Sequence, residues 1–293
     1  MKKILLGLFI AFGFSACSIN SDEENYSCGS TTNVAFTNFP LDCNYSIKTL
    51  PTNPTAIIIN SQEKLETYFT KHENTCPDPS NATIDFSKYF LVSLFAGPKA
   101  TGGYSIKIIS VVENNCEMVI DFYEKTPLPG EVVTQAISYP SDFILIPKTT
   151  KPIYFNKVNQ MPNSVIIGSF NGECTGNDCQ KFYQINDYNV LHFLNVVNGN
   201  YDFNQYSFEG LTPKGDYSLF LKNVPAEILN LKGQTKTYGS PDSHDQGGLY
   251  FELRQGTDIT KIYLDNDNTA DQNSEILLFK KAIQDKITAL KTN

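Results

Sequence analysis

Few side chains in this sequence are suited to acid–base or nucleophilic chemistry. The chain contains only three histidines, His72, His192 and His244. His244 lies within residues 240–248, a Ser-Pro-Asp-Ser-His-Asp-Gln-Gly-Gly stretch with hydrolase-like residue types. Adjacent Ser, His and Asp side chains diverge, whereas a catalytic triad needs them to converge in space. Because Gly-x-Ser-x-Gly, His-Glu-x-x-His and glycine-rich phosphate-binding motifs are also missing from the sequence, we predict no catalytic residues and no enzymatic activity.

A second group of polar side chains lies in Leu264–Asp271, which is rich in aspartate and asparagine. Oxygen donors of this kind suit Ca²⁺. However, the EF-hand glycine is replaced by Ala270, and the twelfth position counted from Asp265 is Ile276, which offers no oxygen ligand. We therefore expect a turn that leads into a final helix, with no metal and no cofactor.

The N-terminus carries a thiol in a setting that favours acylation. Residues 1–16 combine two lysines with an apolar run that is too short to span a bilayer, which is typical of a secretory signal peptide. Cys17 follows Ser-Ala directly, and this arrangement resembles the lipobox of bacterial lipoproteins. The resemblance implies cleavage before Cys17 and modification of the Cys17 residue with diacylglycerol and palmitate. The acidic cluster at 21–24 resembles an export tag, which implies an outer-membrane lipid anchor exposed at the cell surface. A periplasm-facing anchor and a merely solvated tether are the alternatives.

Six further cysteines follow the anchor position: Cys28, Cys43, Cys76, Cys116, Cys174 and Cys179. An even number in an exported chain indicates disulfide bonds, and the sequence alone permits 15 pairings. We favour Cys174–Cys179 first, then Cys28–Cys43 and Cys76–Cys116. A metal site using His72 and Cys76 is the alternative, but the paired Cys-x2–4-Cys spacing of structural zinc sites is missing.

The composition excludes one class of function. The net charge is −8 and Arg254 is the only arginine, so the chain lacks the basic surface that a nucleic-acid-binding protein needs. The acidic surface also disfavours a flat contact with anionic lipid. Hydrophobic content of 41% and aromatic content of 12% indicate folded cores.

The hydrophobic pattern predicts an α+β fold of two small domains, each a mainly antiparallel sheet with one or two packed helices. Residues 17–33 form a tether, 34–158 the first domain and 165–293 the second. In the first domain, Asn60 and Glu63 indicate the start of a helix over 61–72. The remaining pattern predicts an antiparallel meander of strands at 90–96, 104–112, 118–123, 132–137, 143–146 and 153–155.

The second domain has clearer helix signals near its end. A cap at Asn273 or Ser274 and helical spacing of Ile276, Phe279, Ile283, Ile287 and Leu290 predict a long amphipathic helix that packs on a sheet. Pro225 indicates the first turn of a short helix. A β-hairpin is predicted at 182–194, with further strands at 249–253 and 261–264.

Several short pieces of the first domain occur in a characteristic order: Ile84-Asp85-Phe86, Phe90–Gly97, Thr101–Ile106, Pro127–Gly130, Val133–Ala136 and Tyr139-Pro140. Over about residues 84–148 they resemble the C-terminal domain of the protease-complex subunit PrcB family. The family-motif residues are Thr101, Gly102, Gly103, Tyr104, Thr134, Gln135 and Pro140. The resemblance implies a non-catalytic accessory component, associated in the better-known cases with an extracellular serine protease.

Three classes of function follow. The leading hypothesis is a non-catalytic, membrane-anchored lipoprotein that binds another exported protein, with an accessory subunit of a protease complex as the form that the resemblance implies. A surface glycan-binding or small-ligand-binding protein is the first alternative, because the chain contains 16 tyrosines and 20 phenylalanines. A hydrolase that uses the 240–248 loop is the second alternative.

Overall fold

A computed structural model describes residues 27–76, 83–127, 130–174 and 179–291. Cys17, the signal peptide and the acidic cluster lie outside the described residues, so the expectations for them stay predictions. No helix in the described ranges is both long and apolar enough to cross a bilayer.

The N-terminal part of the described chain is built mainly from strands. Its one α-helix is α1 (Gln62–Tyr68), and a 3-10 turn covers Leu41–Cys43. The strands are β1 (Thr32–Asn33), β2 (Thr37–Asn38), β3 (Tyr45–Ile47), β4 (Thr55–Ile59), β5 (Phe69–Lys71), β6 (Tyr89–Phe95), β7 (Ser105–Glu113), β8 (Met118–Lys125), β9 (Ser141–Pro147) and β10 (Ile153–Val158).

These strands form a β-sandwich rather than the predicted meander. One sheet has the order β1-β7-β8-β10, the facing sheet has the order β2-β9-β6-β4, and β3 pairs with β5 outside them. β9 lies in the opposite sheet from β8, so the chain crosses over and β10 returns parallel to β8. The predicted order of a meander was therefore wrong, whereas the mainly antiparallel pairing is confirmed, since only the β8–β10 ladder of these two sheets is parallel.

The continuous apolar run of β6 is explained by two cores on opposite faces of its sheet. Val92 and Leu94 face the interior of the sandwich, whereas Leu91 and Phe95 pack with α1 and the β3–β5 pair. The same alternation holds along β9. A strand buried on both faces needs apolar residues at successive positions.

Two local predictions for this part need correction. The cap of α1 is Ser61 rather than Asn60, because the Ser61 side chain accepts a hydrogen bond from Lys64 N at 3.1 Å, and the helix ends at Tyr68, where the chain enters β5. The strand predicted at 132–137 is instead an exposed loop, because none of the described strands forms a ladder with this segment.

The C-terminal part is a seven-stranded sheet with a long helix on one face. The helices are α2 (Tyr217–Phe220), α3 (Ala226–Leu229) and α4 (Ser274–Lys291), with 3-10 turns at Phe203–Gln205 and Leu221–Asn223. The strands are β11 (Ser164–Phe170), β12 (Lys181–Ile185), β13 (Val190–Phe193), β14 (Phe208–Thr212), β15 (Thr235–Tyr238), β16 (Gly248–Gln255) and β17 (Asp258–Asp265). Their order in the sheet is β14-β13-β12-β11-β16-β17-β15.

The predicted hairpin and final helix of this part are confirmed. β12 pairs antiparallel with β13, and Asn273 Oδ1 caps α4 by accepting a hydrogen bond from Ile276 N at 3.0 Å. The apolar face of α4 packs on the sheet, where the Phe279 ring meets the Phe251 ring edge-on at 4.9 Å. An aromatic cluster covers the opposite face.

The two parts contact one another. The rings of Phe36 and Phe208 lie 5.9 Å apart, and Asn189 Nδ2 donates to the main-chain oxygen of Ile109 at 3.2 Å. The division into domains at 34–158 and 165–293 stays a prediction.

The described parts of the chain contain three disulfides, as the even number of cysteines after the anchor position indicated. Cys174 pairs with Cys179 as predicted, but the other two pairings were wrong: the structure has Cys28–Cys116 and Cys43–Cys76. The β1–β7 ladder brings Cys28 to the β7–β8 turn, where Asn115 N donates to Cys28 O at 2.9 Å. Thr75 N likewise donates to Cys43 O at 2.9 Å, which places Cys76 beside Cys43.

Candidate functional site

One end of the β-sandwich gathers the family-motif residues, and we call it the motif end. β6 and β8 finish there, and β7 and β9 begin there. Two loops, 96–104 and 130–140, emerge at this end and carry Thr101, Gly102, Gly103, Tyr104, Thr134, Gln135 and Pro140. Segments about 30 residues apart in sequence therefore meet at one surface.

The two loops are joined by hydrogen bonds. Gly102 N donates to Thr134 O at 2.8 Å. Lys99 and Ser138 exchange a pair of main-chain hydrogen bonds at 2.9 and 3.0 Å, and Ser138 Oγ donates to Thr101 O at 2.7 Å. At the base, Ala96 N donates to Pro140 O at 2.9 Å. Both loops are irregular apart from the Lys99–Ser138 bridge. These hydrogen bonds, most of them between main-chain groups, hold the two loops in one conformation.

Gly103 is required by the contact between these loops. Its φ is +80°, and a Cβ atom at this position would lie 2.6 Å from Val133 Cγ1 and 3.1 Å from Pro127 Cγ. An L-residue is disfavoured at positive φ, and the space is already filled. The glycine therefore permits close packing of the two loops.

The second loop exposes apolar side chains. Val132 is 99% exposed, Ile137 66% and Tyr139 41%. Gln135 is also exposed, and its Nε2 donates to Val133 O at 3.3 Å. Large apolar side chains grouped on an ordered loop are typical of a surface that binds another molecule.

An apolar cleft of about 360 Å³ opens beside these loops, between the two sheets. Leu94, Ala96 and Ile106 form its inner wall, and Phe122 and Phe155 line it from the β8–β10 side. Thr55 and Ala56 at the start of β4 form its rim.

A compact charge cluster borders the cleft. The Glu124 carboxylate binds Lys99, and it binds Lys157 Nζ at 2.7 Å. Burial of Glu124 opposes its ionisation, but hydrogen bonds and charges from Lys157 and Lys99 outweigh burial and lower its pKa. The Lys99 ammonium also lies 5.7 Å from the centre of the Tyr104 ring. The mouth of the cleft thus combines one ionised carboxylate with two lysines.

Asp142 is a buried residue of this end that sequence reasoning missed. Its Oδ2 accepts a hydrogen bond from Ile108 N at 2.7 Å, at the irregularity in β7, and its Oδ1 lies 3.3 Å from Lys107 Nζ. Burial raises the pKa of Asp142 despite these partners. The carboxyl joins the two sheets. A carboxylate at the start of the apolar strand after Tyr139-Pro140 was the signal that could have identified it.

The hydrolase-like loop is organised by structural hydrogen bonds. Ser243 Oγ lies 2.9 Å from His244 Nδ1, and both residues are exposed. Asp242, one of the two acids of this stretch, instead accepts hydrogen bonds from Gly172 N at 2.7 Å and Gly247 N at 3.0 Å, which closes the loop.

The other two histidines make their own local contacts. His192 pairs with Glu209 at 2.9 Å and stacks on Tyr183, and His72 Nδ1 lies 2.7 Å from the Glu73 carbonyl. Cys76, the proposed metal partner of His72, is in a disulfide with Cys43.

The acidic Leu264–Asp271 loop surrounds a cation supplied by the protein. The buried Lys280 ammonium donates to the main-chain oxygens of Asp265, Asn266 and Asp267 at 3.0–3.2 Å. It also contacts Asn268 Oδ1 and Gln272 Oε1, each at 2.8 Å. No group of three or more His, Cys, Asp or Glu residues in the described parts of the chain is arranged to hold a metal ion.

Many aromatic residues serve as core. Phe182, Tyr201, Phe203 and Tyr250 are buried together on the sheet face opposite α4, with ring centres 5.0–6.3 Å apart. The aromatic content therefore reflects packing to a large extent, and it does not by itself favour a glycan-binding groove.

A comparison with known protein families gives a match that covers the motif end. The sequence model of the family described as PrcB C-terminal matches residues 90–147. This range runs from β6 through β9 and includes both loops of the motif end, so the resemblance noted in the sequence is confirmed there. Neither the curated proteins nor the solved structures that were compared with the chain gave a match.

Proposed function

We propose that this protein is a non-catalytic, lipid-anchored accessory component that binds another exported protein through its motif end. The observation that carries the proposal is the exposure of Val132, Ile137 and Tyr139 on a loop that main-chain hydrogen bonds hold beside an apolar cleft. The match of residues 90–147 to the PrcB C-terminal family supports an accessory role in a protease complex.

The physical basis is the burial of apolar surface on a preorganised loop. Removing apolar surface from water contributes about 25 cal/mol per Å². Because the loop is already fixed to residues 99–102, little further conformational entropy is lost on binding. Tyr139 can bury its ring while its hydroxyl group forms a hydrogen bond with the partner or with water, which is why tyrosine is enriched at protein interfaces.

The proposed anchor joins the fold far from the motif end. Ser27 is the first described residue, and the neighbouring Cys28 forms its disulfide with Cys116 at the turn after β7. The motif end lies at the other end of β7, and eight steps from Ser105 to Glu113 at a strand rise of about 3.4 Å span about 27 Å. Anchoring through Cys17 would then leave the motif end clear of the attachment point, at the cell surface or in the periplasm.

Affinity capture of the full-length lipoprotein from its native membrane in mild detergent tests the proposal. We expect a stoichiometric exported protein to be recovered with the unaltered chain. The Val132→Ser/Ile137→Ser double variant should recover at least about tenfold less partner, since two buried apolar side chains are worth more than the 1.4 kcal/mol that a factor of ten represents.

A matched control variant is available on the C-terminal helix. Leu278 is 71% exposed on α4, so Leu278→Ser removes a comparable exposed apolar side chain outside the motif end. It should leave capture unchanged. Recovery of no stoichiometric partner, or equal loss with the two sets of variants, would contradict the proposal. Labelling with palmitate, lost on Cys17→Ser, tests the anchor separately.

A further inference from the structure

The outer edge of β4 is unpaired in the described structure and lacks the usual protection of an edge strand. β4 is the last strand of its sheet and forms a ladder with β6 alone. Natural edge strands are commonly protected by lysine, proline or a bulge. β4 reads Thr-Ala-Ile-Ile-Ile and contains none of these, whereas the edge strands β10 and β15 contain Lys157 and Lys236.

The ladder geometry shows which main-chain groups of β4 are not used for pairing among the described strands. Ala96 N donates to Pro140 O, and Lys148 N donates to Lys88 O, so the even-numbered residues of β6 bond to β9. Because main-chain groups alternate in direction along an antiparallel strand, the odd-numbered residues of β6 bond to β4. The register pairs those residues with Thr55, Ile57 and Ile59. The N–H and C=O groups of Ala56 and Ile58 therefore point away from the sheet, along its open edge.

A cavity lies on each side of this edge. The cleft at the motif end, about 360 Å³, is bordered by Thr55 and Ala56 on the inner face of the sheet. A second cavity of about 400 Å³ lies on the α1 side and is bordered by Thr55 and Ile57. Side chains alternate between the two faces of a strand. A strand added at β4 would therefore place successive side chains in the two cavities in turn.

We propose that β4 binds an extended segment of the partner polypeptide as an additional strand of the sheet. This inference rests on the proposed function and names the kind of segment that the motif end recognises. Main-chain hydrogen bonds to Ala56 and Ile58 supply affinity, and the two cavities select side chains, as in other cases of strand addition.

The charges at the two cavities define the segment further. Lys157 borders the first cavity and Lys48 borders the second. Among the described residues that line the two cavities, Glu124 in the first is the only one with a carboxylate. Glu124 is already bound by Lys99 and Lys157. The surplus charge is positive although the whole chain carries −8. The segment that fits has a large apolar side chain for the first cavity and an acidic residue near Lys48 or Lys157.

A display library of random peptides, selected on the full-length protein, tests the inference. We expect selected peptides to carry β-branched or aromatic residues at alternate positions together with an acidic residue. Synthetic copies of a selected peptide, each N-methylated at one position, should bind the unaltered protein with losses that alternate with period two. Each loss should be about tenfold where the methyl group removes a hydrogen bond to the β4 edge.

A variant pair in β4 provides the matched control. Ala56→Pro removes an N–H that points away from β6, so the fold tolerates it, because proline occurs on edge strands at such positions. It should weaken peptide binding at least about tenfold. Ala56→Ser keeps the N–H and should bind within about twofold of the unaltered protein.

The results separate this inference from the proposed function. No selected peptide, N-methylation losses without the period of two, or equal binding by the proline and serine variants would overturn strand addition. If Ala56→Pro still captures the native partner while Val132→Ser/Ile137→Ser does not, the motif end binds a protein but not through β4. Recovery of no native partner rejects the proposed function, and the peptide experiments still report on β4.

Discussion

Replacing Gly103 by alanine tests whether the packing of the two motif-end loops depends on the missing side chain. Gly130 provides a matched control, because its φ is +84° against +80° at Gly103, while a Cβ at Gly130 meets none of the described residues within 4 Å. Both variants place alanine in the same unfavourable region of backbone conformation. Only Gly103→Ala adds a steric conflict, with Val133 Cγ1 at 2.6 Å and Pro127 Cγ at 3.1 Å.

The expected magnitudes follow from these two effects. The positive φ costs about 1–2 kcal/mol for an L-residue in either variant. Overpacking adds about 1–3 kcal/mol in Gly103→Ala alone. Val133→Ala removes the methyl group that conflicts most closely, so the double variant should recover much of the added cost. The coupling free energy between the two positions should reach about 1 kcal/mol or more.

Urea denaturation followed by circular dichroism measures the global effect, since the chain contains no tryptophan. Hydrogen–deuterium exchange measures the local one: the Gly102 and Ser138 amides, which bond to Thr134 and Lys99, should exchange faster in Gly103→Ala than in Gly130→Ala. Equal destabilisation by the two alanines, or no recovery with Val133→Ala, would refute the assignment of Gly103 as the residue that permits loop packing.

Three further predictions concern the rest of the fold, each checked by urea denaturation. Lys280→Met should lower the free energy of unfolding by at least about 2 kcal/mol, because it leaves several buried oxygens without a donor. The control variant Lys281→Met removes an exposed ion pair and should change the free energy of unfolding by less than about 0.5 kcal/mol. Asp142→Ala should cost about 1–3 kcal/mol by leaving Ile108 N unsatisfied, and Asp142→Asn less. Because the pKa of Asp142 is raised in the folded state, the stability that its protonation contributes is fully present below the ordinary aspartate pKa and is lost as pH rises through the raised value. Asp142→Asn should abolish this decline in stability. Loss of the Cys28–Cys116 disulfide should lower the free energy of unfolding by about 4–5 kcal/mol, and loss of Cys174–Cys179 by about 2 kcal/mol, because the closed loops span 88 and 5 residues. Equal losses of stability would contradict the dependence on loop length.

Features of the fold that depend on near neighbours in the chain were predictable. α4 follows from the spacing of Ile276 to Leu290 and from the Asn273 cap. The β12–β13 hairpin follows from two apolar segments around a short turn. The family-motif residues could likewise be selected from their order along the chain, and the match over residues 90–147 agrees with that selection.

Features that depend on distant segments were not predictable. The apolar pattern of 132–137 is suited to a strand, but no strand in the described ranges pairs with it, so large apolar side chains of this segment stay exposed. The acidic loop, for which we expected a turn without a metal, surrounds Lys280, which belongs to a helix later in the chain, and this contact was not predicted. Asp142 acquired its role only when β7 and β9 were brought together.

The sequence by itself determined α4, the β12–β13 hairpin, the number of disulfide bonds and the family-like segment, because periodicity, caps and motif order are local properties of the chain. The tertiary structure alone decided the pairing of Cys28 with Cys116, the parallel return of β10 and the open edge of β4 beside two cavities. The physical reason is that pairing between distant segments is governed by burial and hydrogen bonding in the assembled fold. Those forces act between residues that only the folded chain brings together.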